Sequence, residues 1–188
     1  MFREKMVTPA IPERVYVLCK IVEKGPISSS ELKEKMEPAE LNADTSTAYF
    51  PDYRTAAEEL GLIITSDNMI SLAVDPSVIE SRQTMRKYVN GVLRKFSDGL
   101  FYQVTHAYYM LGADALKTEK NLSNLGPLMS ELTGQKVDAM DMRAWRFWVS
   151  YLGLGYLQEM FMIPNADVFF AGCNRACRTG KRKKIFIW

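Results

Sequence analysis

Histidine is nearly absent from this chain, with His106 the single example among 188 residues. Any mechanism that needs several imidazoles, as proton relays or metal ligands, is thereby excluded. Cysteine is scarce as well. Three thiols are too few for a disulfide framework, and a reducing interior is the natural setting. No apolar run approaches the roughly 20 residues that cross a bilayer, so no membrane partner is expected. The opening stretch MFREKMVTPAIPERVYV carries charge where an export signal needs an apolar core, which points to the cytoplasm. Neither G-x-x-x-x-G-K-S/T nor G-x-G-x-x-G occurs, so nucleotide cradling has no support. An overall excess of one charge is lacking too: 24 Lys and Arg stand against 22 Asp and Glu. What is present is ordinary for a folded chain, 47% hydrophobic and 24% charged residues, in one domain or two small ones.

Helical spacing begins at Pro12. Val15, Leu18, Cys19 and Val22 form an apolar stripe that runs to Lys24, where Gly25-Pro26 stops it. Ile27 sits in an extended link. Ser29 or Ser30 is expected to cap a second helix, from about Glu31 to Pro38. A polar connection follows, and Pro51 suits the first turn of a third helix carrying Tyr53, Ala56, Ala57 and Leu60. Gly61 stands where a helix C-cap glycine belongs. Two short apolar runs, Leu62–Thr65 and Met69–Leu72, then flank Ser66-Asp67-Asn68, a hairpin signal.

Helix, extended link, helix, helix and hairpin is an order that resembles the winged helix-turn-helix superfamily over about residues 10–76. The most specific stretch is Tyr53-Arg54-Thr55-Ala56-Ala57-Glu58-Glu59-Leu60-Gly61-Leu62-Ile63, since third helices of that superfamily commonly end in Leu-Gly-Leu-Ile and turn into the wing. Pro51 and the long approach from Asn42 to Phe50 depart from the pattern at the end of the helix from which DNA-binding members read bases. Ser77 to Phe96 reads as one long helix, with Arg82, Arg86, Lys87, Arg94 and Lys95 against Glu80 alone.

A similar order then recurs. Leu100–Leu111, Leu122–Leu132 and Asp138–Tyr151 read as helices, the last with Met142, Trp145, Val149 and Leu152 on one stripe. Asp52-x-Arg54…Leu60-Gly61-Leu62 is matched by Asp141-x-Arg143…Leu152-Gly153-Leu154, with three more residues in between. Tyr156–Phe161 and Val168–Phe170, around Pro164-Asn165-Ala166-Asp167, look like a second wing. The expected fold is therefore mainly α: tandem winged helix-turn-helix modules joined by a long helix, with short β-hairpin wings. The units are an N-terminal module at 1–76, a basic linker helix at 77–96, a second module at 97–172 and a basic tail at 173–188.

Charge divides unevenly between the halves. Residues 1–76 hold eight basic and thirteen acidic residues, net −5, which leaves +7 for residues 77–188. Affinity for DNA rests on neutralising phosphates, so the first module is a poor phosphate surface. It is expected to hold a protein partner or form a homodimer, or to touch DNA only through Ser46, Thr47, Tyr53 and Arg54. The third helix of the second module sets Arg143 and Arg146 one turn apart on one edge, where arginine can pair with guanine or phosphate. Arg82, Arg86, Lys87, Lys181, Arg182, Lys183 and Lys184 would add phosphate contacts. The bland alternative is that these are solvated helix residues and a solubilising end.

Other groupings carry less. Cys173 and Cys177 form a C-x3-C pair, but a structural zinc site commonly needs four ligands, and only Cys19 and His106 remain. His106 could serve as a general base, yet no nucleophile motif accompanies it, and a core or half-buried histidine is the simpler reading. Trp145, Phe147, Trp148, Tyr151 and Tyr156 could stack bases or build a core or interface. Asp138 and Asp141 have a simple use as helix cap and dipole partners. The resulting expectation is a non-enzymatic protein without cofactor that binds double-stranded DNA, as a regulator or as a subunit of a DNA-processing or defence complex. The rival is a protein–protein adaptor: tandem winged-helix chains of similar size serve as accessory subunits of chromosome-organising ATPases.

Overall fold

The computed structural model describes residues 1–38, 40, 49–115, 122–158 and 161–165. It is mainly helical, with two small antiparallel sheets. Helix α1 (Pro12–Val22) buries the stripe of Val15, Leu18, Cys19 and Val22. Strand β1 (Ile27–Ser28) leads directly into α2 (Ser29–Met36). The cap lies one residue before the positions favoured by the sequence: the Ser28 hydroxyl accepts from the Glu31 N–H at 3.2 Å. Pairing of Ser28 with Met69 keeps it extended, the backbone shape that a cap residue needs. Helix α3 (Phe50–Glu59) has Pro51 in its first turn.

Strands β2 (Ile63–Ser66) and β3 (Met69–Leu72) form the expected hairpin, and β1 joins the far side of β3. Asp67 and Asn68 both have positive φ, 49° and 62°, as a two-residue turn matched to strand twist requires.

The long helix expected over Ser77–Phe96 is divided. A 3-10 turn at Pro76–Ile79 precedes α4 (Arg82–Val92), and a second 3-10 turn at Leu93–Phe96 follows it. The break comes from Ser81. Its hydroxyl accepts from the Thr84 N–H at 3.1 Å, and Thr84 Oγ1 accepts from the Ser81 N–H at 3.0 Å. This reciprocal cap starts a new helix rather than continuing an old one.

Helices α5 (Leu100–Leu111), α6 (Leu122–Thr133) and α7 (Ala139–Leu152) build the second half. Met142, Trp145, Val149 and Leu152 are all buried, as their spacing predicts. Strands β4 (Gly155–Gln158) and β5 (Phe161–Pro164) close it. The return strand thus comes earlier than the sequence reading placed it, and Pro164 ends the strand instead of opening a turn. Buried Met162 anchors it, its carbonyl accepting from the Tyr108 hydroxyl at 2.6 Å. Val168–Phe170 lie outside the described residues.

One hydrophobic core runs through both halves. The amino-terminal segment is threaded into it. Phe2 is fully buried against Phe96, Phe101 and Trp148, with ring centroids 5.8, 5.1 and 4.9 Å away. The Leu100 N–H donates to the Arg3 carbonyl at 2.8 Å, and the Trp148 indole N–H donates to the Ala10 carbonyl at 2.6 Å. Gly99 is needed at this crossing, because a Cβ there would lie 2.3 Å from the Phe2 carbonyl oxygen.

Asp141 ties the same segment to α7. Its two oxygens accept from the Met6 N–H at 3.2 Å and the Asp138 N–H at 3.0 Å, while Asp138 in turn accepts from the Asp141 N–H at 2.9 Å. Burial pushes the Asp141 carboxyl above its ordinary value, whereas hydrogen bonds hold Asp138 below. Asp141→Asn keeps the shape but replaces one acceptor with an N–H donor facing a backbone N–H. The expected cost is about 1–2 kcal/mol, read from the urea midpoint.

The two helix-to-hairpin turns share one hydrogen-bond pattern. Gly61 and Gly153 have φ of 66° and 72°. Their N–H groups donate to Glu58 and Ser150, those of Leu62 and Leu154 to Ala57 and Val149, and those of Ala73 and Asn165 to Leu62 and Leu154. Residues 57–66 and 69–73 therefore correspond, in order, to the described residues 149–158 and 161–165. Counting back along the helices sets Tyr53 beside Trp145 and Arg54 beside Arg146. The earlier pairing of Arg54 with Arg143 is thus corrected.

Helix α4 touches both turns. The Tyr88 hydroxyl donates to the Leu60 carbonyl at 3.2 Å, while Arg86 Nε and Asn90 Nδ2 donate to the Leu152 carbonyl at 3.2 and 3.1 Å. Among the described residues no helix is long and apolar enough to cross a membrane.

Candidate nucleic-acid interface

Helix α7 decides what the second half can present. It is buried on a wide arc that includes Ala144, Trp145, Arg146, Trp148 and Val149. Only a narrow stripe faces solvent: Met140, Arg143, Phe147 and Ser150. Arg143 is exposed, with its guanidinium 3.8 Å from the Met140 sulfur. Arg146 is 8% exposed and does not share that outward edge with Arg143. The one-turn spacing is real, but the aromatic packing of Trp145 and Trp148 rolls the Arg146 side of the helix inward. Trp148 packs on Phe2 and Tyr151, and the Trp145 indole N–H donates to Thr105 Oγ1 at 3.0 Å, so neither ring is free to stack on a base. Phe147 remains about half exposed.

In the first half, Tyr53 is buried and its hydroxyl donates to the Glu37 carboxylate at 3.0 Å, which removes it as a surface contact. Burial, with that hydrogen bond, pushes its phenol up. Arg54 is half-buried over the Phe50 ring, donates to the Ser29 hydroxyl at 3.2 Å and pairs with Glu58 at 3.6 Å. It is already neutralised locally. Ser46 and Thr47 lie outside the described residues, as do Cys173, Cys177 and the cations Lys181, Arg182, Lys183 and Lys184.

The cations of the linker separate into two kinds. Arg86 is half-buried and spent on the α7 terminus, where its guanidinium fills the space that a Cβ on Gly153 would need. Arg82, Lys87, Arg94 and Lys95 are exposed. Sequence reasoning credited Arg94 and Lys95 to the basic linker but did not single them out as contacts, nor did it select Arg3. Arg3 is exposed with its guanidinium 5.4 Å from the Phe96 ring centroid, beside the 3-10 turn that holds Arg94 and Lys95. Its link to this turn depends on a contact across the whole of the first half, which no local pattern reports.

Chemistry of other kinds finds little. His106 is exposed on α5 rather than in the core or half-buried. Cys19 is buried and its thiol is pushed up to about 12 by that burial, so it is held protonated. Among the described residues no group of three or more His, Cys, Asp and Glu side chains is placed to hold a metal ion. Comparison with family models, with curated proteins and with solved structures finds no match.

Proposed function

We propose that this chain is a non-enzymatic double-stranded DNA-binding protein built from tandem winged-helix modules, a regulator or a subunit of a DNA-processing or defence complex. The observation that supports this reading best is the exposed Arg143 in the second turn of α7, the helix that leads into the second hairpin. From that position a lone arginine can reach a base edge or a phosphate. Exposed Arg82 and Lys87 supply further positive charge. The measurement is duplex binding by fluorescence anisotropy across a salt series. Affinity is expected to fall steeply with salt, and Arg143→Ala to weaken it on the order of tenfold at fixed salt. An affinity unchanged by the substitution removes Arg143 from the interface.

A second reading, the protein–protein adaptor, draws on a different observation. Met140 and Phe147, each about half exposed, flank Arg143 on the same stripe. Apolar residues around one charge suit a protein surface at least as well as a groove. The net charge of −5 over residues 1–76 favours the same use. No duplex binding even at low salt decides for the adaptor.

A further inference from the structure

We infer that the phosphodiester backbone of a double-stranded nucleic acid crosses the molecule at the end of α4, over Gly91, and not along the outer stripes of α3 or α7. This rests on the nucleic-acid reading above and names a different surface for the phosphates. Gly91 lies one turn after Lys87 and one turn before Arg94 and Lys95, all exposed. Among the described residues none of these three cations has a carboxylate within ion-pair distance; the ion pairs there involve Met1, Lys20, Lys35 and Arg54. Arg3 extends the patch along the Phe96 side. The balanced total charge conceals this local concentration.

Gly91 is the second observation. Its φ is not in the left-handed region, and a Cβ built there meets nothing within 4 Å. The fold therefore does not require glycine at this position, and the helical path continues through Val92 into the 3-10 turn Leu93–Phe96. Glycine is a poor helix former, so its presence weakens the element that carries the patch. What glycine offers in exchange is the close approach of another molecule to the helix backbone. Cations on both sides of that bare point, one turn away each, fit an anionic ridge laid across it. The apolar and acidic stripes of α7 and α3 offer no comparable place.

The test uses the full chain with DNA and RNA duplexes of equal length, and polyglutamate as an acidic probe without phosphates. Gly91→Gln restores a good helix former and is expected to raise Tm by about 2–3 °C. It should nevertheless weaken duplex binding on the order of tenfold. Lys87→Ala/Arg94→Ala/Lys95→Ala together should lower the salt slope by about two to three. Gly91→Gln with unchanged affinity, or the triple variant with an unchanged slope, overturns the inference. If Arg143→Ala weakens DNA binding at the same time, the proposed function survives that failure. Binding to duplex RNA alone, lost in both α4 variants, upholds the α4 surface and rejects the DNA reading. Polyglutamate bound as tightly as duplex at equal charge overturns the inference in favour of an acidic protein partner. No binding to either duplex overturns both.

Discussion

Phe2→Ala is expected to cost about 3–5 kcal/mol, the range for truncating a large buried aromatic side chain. The ring is fully buried and lies edge-on to Phe101 and Trp148, so its removal opens a cavity between the 3-10 turn after α4, α5 and α7. None of these can close the gap alone, because the Leu100 N–H remains bound to the Arg3 carbonyl and the Trp148 indole to the Ala10 carbonyl. The loss is read as a fall in Tm of about 6–20 °C. Phe2→Leu, which fills part of the volume, should recover at least half of it. If Phe2→Ala leaves Tm within a degree of the parent, the threaded amino-terminal segment is not part of the core.

Gly153→Ala is expected to cost about 1.5–3.5 kcal/mol, more than Gly61→Ala. Both glycines have positive φ, which costs an alanine roughly 1–2 kcal/mol. They differ in what the new methyl meets. At Gly61 it would lie 3.5 Å from the Tyr88 hydroxyl, an ordinary contact. At Gly153 it would lie 2.1 Å from a terminal nitrogen of Arg86. The guanidinium, the far end of a flexible side chain, must shift and give up its hydrogen bond to the Leu152 carbonyl; Asn90 still donates there, so the further loss is about 0.5–1.5 kcal/mol. Chemical denaturation of both variants, repeated in an Arg86→Ala background, isolates this second part. In that background the two glycine substitutions should cost the same. A Gly153→Ala penalty that stays larger there would place the strain elsewhere.

Much of this architecture is legible in the residues. Amphipathic spacing locates α1, α3, α5 and α7, and the Asp67-Asn68 pair locates the first turn, because these signals are local. The features that escape it are set by reciprocal or distant contacts. A long polar-faced stretch hides the cap pair of Ser81 and Thr84. Strand pairing with Met69 moves the α2 cap to Ser28. The segment before Pro12 has no periodicity, so nothing marks Phe2 as a core residue. For the candidate interface, spacing placed Arg143 and Arg146 on one edge, yet the burial arc of α7 is wide enough to cover the second. Aromatic residues on several faces of that helix were the available sign. Tyr53 carries a hydroxyl that could reach a surface, and only the approach of Glu37 turns it inward. Gly91 is invisible by itself and becomes informative once its surroundings are known to be empty.

The junction of Phe2 with Trp148 brings together residues at opposite ends of the described chain. During synthesis the pocket for Phe2 cannot close until α7, which carries Trp148, has been made. Long-range closure of this kind slows folding, because the entropy of a large loop is lost before the contact is gained. Until α7 has been made, the Phe2 ring therefore lacks the Trp148 face that buries it in the folded protein.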